Sequence, residues 1–143
     1  MQASEIREYF ISRADWVSRE TTVDTFKFGD PDVAVRSVGV TWMLTMDAID
    51  AAERLGVNFV VTHEPTFWTH RDVVDEVRDH PAYLAKVRRL EETGLTVMRL
   101  HDCWDWWPEI GIAASLAKLL GLTLIETGGH NAKVYAVDAP TTL

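Results

Sequence analysis

Apolar positions along this chain recur at two spacings, and each change of spacing marks an element boundary. Ile6, Tyr9 and Phe10 share one face of a helix predicted over residues 5–13, with Ser4 as its N-cap. Residues 21–28 are rich in Thr, Val and Phe and read as a strand; Gly29, Asp30, Pro31 and Asp32 form a turn. Residues 35–41 are β-prone and read as a second strand. Met46, Ile49, Ala52 and Leu55 then keep one apolar helical face between Thr45, an N-cap, and Gly56, a C-cap, with Asp47 in the first turn. The apolar run from Phe59 to Val61 follows at once as a buried strand, closed by Thr62, His63, Glu64 and Pro65. This β-α-β unit predicts two parallel strands joined by a right-handed crossover.

The pattern then repeats. Residues 69–79 are polar, a loop or short helix. His80 and Pro81 open a helix whose buried face is Tyr83, Leu84, Val87 and Leu90 and which Gly94 ends. Residues 95–100 form the next strand, closed by His101, Asp102, Cys103, Trp104 and Asp105. Trp106, Trp107 and Pro108 make a bulky turn. An apolar helix over residues 112–120 is capped by Gly121, and short strands are predicted over 122–125 and 133–137 around a Gly-rich turn at 127–131. Pro140 to Leu143 resemble a helix start, and the expectation is that a C-terminal part found in longer proteins is missing. The order of elements predicts one α/β domain over 1–143, with a largely parallel sheet and helices on both faces.

Twice, then, a strand delivers a histidine and an acid at its carboxyl end, the edge where open parallel sheets bind ligands. Imidazole nitrogen and carboxylate oxygen suit divalent zinc, manganese or iron, and a carboxylate can bridge two such ions. His63 and Glu64 read either as ligands or as a hydrogen-bonded strand-end histidine with a solvated acid. His101 reads as a ligand, as a partner that orients one, or as a structural histidine; Asp102 and Asp105 each suit a turn cap, the cap being preferred for Asp102. His70 reads as a surface residue or a substrate contact, His80 as the start of a helix and His130 as a loop residue. Trp68, Trp104, Trp106 and Trp107 suit packing under loops, stacking on a planar substrate or an oligomer interface. Cys103 reads as a buried apolar residue.

Composition narrows the classes. The formal net charge of −8 argues against binding a phosphate backbone. No apolar run approaches the ~18 residues of a membrane span. A single cysteine and a charged N-terminus point to a reducing cytoplasm.

The run A-E-R-L-G-V-N-F-V-V-T-H-E-P-T-F-W from Ala52, H-D-C-W-D at His101 and the closing L-L-G-L resemble the Nif-three-like (Ngg-interacting factor three) family over about residues 24–137. Its bacterial members carry the description of type 2 GTP cyclohydrolase homologues or dinuclear-metal-centre hexameric proteins. The commonest first motif is His-His-Pro with both histidines on metal; here it reads His63-Glu64-Pro65. The resemblance transfers a metal ligand to Asp105, with His101 close behind it. The family's C-terminal His-x-x-x-Glu pair lies beyond this chain, and Trp42 and Met43 stand where an aspartate usually precedes the first helix.

The resemblance implies a metal-dependent hydrolase-like protein, acting on a nucleotide-like or other small substrate through metal-activated water. His63, Glu64 and Asp105 would hold one or two divalent ions, and His101 would orient a ligand or carry a proton. It also implies a homo-oligomer, hexameric in the family. The alternative is a non-enzymatic, metal-binding oligomeric scaffold or regulatory module; a nucleic-acid-interaction domain ranks third.

Overall fold

In the computed structural model, which describes residues 1–128 and 132–137, the chain opens with α1 (Ala3–Ile11). The helix begins before Ser4, contrary to the expectation that Ser4 caps it. The Ala3 and Ser4 amides donate to the carbonyls of Val33 and Pro31, so tertiary partners serve donors that a cap would otherwise serve. Ser4 Oγ instead donates to Asp32 Oδ1 at 2.9 Å.

The next elements are β1 (Phe26–Phe28), β2 (Val38–Thr41), α2 (Met46–Arg54), β3 (Phe59–Thr62), α3 (Pro81–Thr93) and β4 (Thr96–Arg99). They build a four-stranded sheet ordered β1-β4-β3-β2, in which β2, β3 and β4 run parallel and β1 is antiparallel on β4. Both crossovers are the predicted helices, so the expected largely parallel α/β arrangement is present. Two strands are shorter than predicted. Residues 22–24 send their polar groups to the end of β4 rather than into a ladder. The Arg36 and Ser37 amides donate to the Asn58 side chain, at 3.0 and 3.3 Å, which takes the place of strand pairing there.

The core on one face of the sheet joins Val60 and Val97 to Leu44, Ile49, Ala52, Leu90 and Leu95 from α2, α3 and their flanks. Burying each large aliphatic side chain contributes about 1.5–3 kcal/mol. Strand alternation turns Phe59 and Met98 to the opposite face, where both are fully buried and the Phe26 ring tilts against Phe59 at 6.4 Å. The predicted helix faces are broader than the buried ones: Met46, Leu55 and Leu84 are exposed. Thr45 caps α2 by accepting from the Ala48 amide, His80 caps α3 by accepting from the Ala82 amide, and Gly94 closes α3 in the left-handed conformation.

The chain divides into two compact units, Met1–Asp102 and the segment from Cys103 onward, with the division inside the single turn α4 (Asp102–Asp105). The second unit holds α5 (Ile112–Leu120), capped by Gly121, and an antiparallel hairpin of β5 (Thr123–Gly128) and β6 (Ala132–Ala136). The two predicted strands therefore exist and pair with each other in a sheet of their own. His130 and the helix start expected at 140–143 lie outside the described residues. No helix among the described residues is long and apolar enough to cross a membrane.

Candidate metal centre

The end of β3 is pinned from β2. The Trp42 carbonyl accepts from the amides of His63 and Glu64, at 3.2 and 2.8 Å, and from Thr62 Oγ1 at 3.3 Å. The Trp42 indole lies flat on the His63 imidazole, with centroids 4.1 Å apart and planes 11° from parallel. Trp42 thus fixes the plane of the His63 ring.

The end of β4 is pinned by Asp24, a buried carboxylate from the segment before β1. Its Oδ1 accepts from the amides of His101 and Asp102, at 2.6 and 3.0 Å. The Asp102 side chain reaches the segment before β1 and the neighbouring His101. Its carboxylate accepts from Thr22 Oγ1 at 2.8 Å and from the Val23 amide at 3.1 Å, and lies 3.0 Å from His101 Nδ1. Burial raises its pKa, but these three hydrogen bonds outweigh burial and hold the group below the ordinary carboxylate value. An ionised carboxylate only accepts, so His101 Nδ1 donates to it and Nε2 is the ring nitrogen turned away from this bond.

Because β3 and β4 are neighbours in parallel register, with Thr62 opposite Arg99, their two histidines meet. The rings of His63 and His101 have centroids 4.6 Å apart, and His70 approaches His101 edge-on at 5.2 Å. Glu64 Oε1 lies 3.6 Å from His63 Nδ1, and Oε2 lies 3.9 Å from the Arg99 guanidinium.

This donor set fits a divalent cation in its chemistry. It offers two imidazoles side by side, one with its tautomer set by a carboxylate, as metal-binding histidines commonly are, and an adjoining carboxylate in Glu64. The buried Arg99 guanidinium lies beside Glu64 and offsets part of its charge. Asp105 is the last residue of α4, half-buried, and belongs to the second unit. Cys103 is fully buried, as its apolar reading requires.

Four residues near the pair carry no sequence signal that assigns them to it. His70 reads from the sequence mainly as a surface residue; it is exposed, yet its ring lies edge-on to His101. Asp24 and Arg99 were hidden in β-prone stretches, where a lone polar residue carries no periodic signal. The aromatic that stacks on the site's histidine is Trp42, at the end of the preceding strand, and Trp68 is exposed.

Similar structures carry the same fold. The protein YbgI, described as of unknown function, matches with TM-score 0.70 and 20% identity over 87% of this chain. Reduced HcgD from Methanocaldococcus jannaschii matches with TM-score 0.65 and 26% identity over 86%. A Bacillus cereus protein related to NIF3 matches with TM-score 0.67 and 21% identity over 86%. The present chain spans 49%, 48% and 33% of those three chains. No curated protein matches it. The family model for Duf34/NIF3 (NGG1p interacting factor 3) matches residues 4–137, and the chain belongs to that family.

Proposed function

We propose that this chain binds a divalent metal beyond the carboxyl ends of β3 and β4 and acts as a metal-dependent, hydrolase-like protein on a small, nucleotide-like substrate. His63 and His101 would be the metal's nitrogen ligands and Glu64 the neighbouring carboxylate, and membership of the family adds Asp105 as a proposed oxygen ligand. Zinc, manganese and iron suit these donors. The observation that carries the reading is the pairing of the His63 and His101 rings at the ends of two adjacent parallel strands.

A bound ion would supply Lewis acidity toward a water molecule. The chain's own residues do the rest: Asp102 orients His101, Trp42 holds the plane of His63, and exposed His70 meets the substrate at the rim. A homo-oligomer in a cytoplasmic setting belongs to the same proposal.

Isothermal titration with zinc or manganese tests it. His63→Ala, which removes a proposed ligand, should weaken binding by more than the ~10- to 100-fold typical of losing an outer-shell partner, while His70→Ala leaves it near the wild-type value. Equal affinities in the two variants would count against the site. A second reading, a metal-binding scaffold without turnover, is favoured by the buried Arg99 beside Glu64, which offsets the carboxylate's charge. A hydrolysis screen with and without added manganese separates the two, since tight binding without metal-dependent turnover supports the scaffold.

A further inference from the structure

We infer that Arg99 is a positioning residue of the metal centre, one guanidinium that sets where His63 and His70 stand against His101. Arg99 is fully buried as the last residue of β4, a strand buried along its whole length. A buried cation is costly unless its donors are met. Here Nε donates to the His63 carbonyl at 2.8 Å, one terminal nitrogen donates to the His70 carbonyl, and the other lies 3.9 Å from Glu64 Oε2. The two carbonyls belong to the very residues whose rings flank His101, at 4.6 and 5.2 Å. Arg99 closes β4 two residues before His101, so a single side chain ties the segment after β3 to the end of the strand that precedes His101.

The loop that follows β3 carries strained backbone. Thr69 and Asp72 hold left-handed backbone angles, φ 52° and 55°, which non-glycine residues adopt only when surroundings enforce them. On one side the Asp72 carboxylate accepts from the amides of Thr66, Phe67 and Trp68, at 3.0, 2.7 and 3.2 Å. On the other side Arg99 holds His63 and His70. A lysine could keep the charge but not the planar fork that spans two carbonyls.

The inference rests on the metal reading for its functional meaning, but its geometry is testable without metal. In the metal-free full chain, the wild type should show a nuclear Overhauser contact between the ring protons of His70 and His101. Arg99→Lys and Arg99→Gln should lose it while thermal unfolding stays cooperative. Both variants should bind zinc about 10- to 100-fold more weakly and shift the visible absorption band of the cobalt-loaded protein. If either folded variant keeps the ring contact, and binds zinc within about twofold of wild type, Arg99 is only a structural arginine and the inference falls. If the wild type binds no metal, the proposed function fails, and the ring contact alone decides the role of Arg99.

Discussion

Asp24 and Asp102 divide the work at the end of β4, and their substitutions separate structure from site chemistry. One buried oxygen of Asp24 serves the amides of His101 and Asp102. Asp24→Ala strands two donors, each worth about 1–3 kcal/mol when left unmet, whereas Asp24→Asn keeps an oxygen for both. Urea unfolding should therefore show a loss for the alanine variant at least twice that of the asparagine variant; equal losses would mean that the carboxylate charge, not the acceptor, matters. Asp102→Asn acts differently. Its amide can donate toward His101 Nδ1, which moves the ring proton to Nε2 and removes the lone pair proposed for the metal. That variant should stay folded, because one oxygen remains for Thr22 and Val23, yet lose about 10- to 100-fold in zinc affinity by titration. His63 and His101 were legible in the sequence because each follows an apolar run that ends abruptly. Asp24 and Arg99 were not, because their side-chain partners lie 77 or more and 29 or more residues away, beyond the reach of any local pattern.

At the scale of elements, the positions that the sequence reading placed best are those with their own local chemistry. Thr45, His80, Gly94 and Gly121 cap helices where propensity and capping alone predict them. The start of α1 and the bounds of β1 and β2 shifted because distant partners, the carbonyls of Pro31 and Val33 and the Asn58 side chain, supply hydrogen bonds that local rules assign elsewhere. The pairing of β5 with β6 outside the main sheet was equally invisible, since strand propensity does not name a partner. Two glycines test how far turn chemistry goes. Gly29 and Gly94 both have positive φ, 80° and 64°. An alanine at Gly94 meets nothing within 4 Å, whereas at Gly29 its Cβ would fall 2.7 Å from the Leu95 carbonyl oxygen and Thr96 Cα. Gly94→Ala should cost about 1–2 kcal/mol from backbone strain alone. Gly29→Ala should cost clearly more, because strand backbone cannot rotate aside, and thermal melts of the two variants give the order directly.

For the molecule as a whole, binding is a firmer question than turnover. The chain spans about half of YbgI and a third of the Bacillus cereus protein, so the activity of those longer chains is a separate matter from what this stretch does alone. A ligand that binds only the folded chain stabilises it by about 2.7 kcal/mol at a hundred times its Kd. For a chain of 143 residues that corresponds to a rise in Tm of about 5–10 °C. Zinc or manganese at such an excess should produce that rise and a chelator should reverse it. His63→Ala should have a lower Tm than wild type without metal, since its largely buried ring packs between Trp42 and His101, and should gain almost nothing when metal is added. The contrast matters more than either value. Metal that raised the Tm of both proteins equally would be bound elsewhere on this acidic surface, and the paired histidines would then be a packing arrangement at the end of two strands.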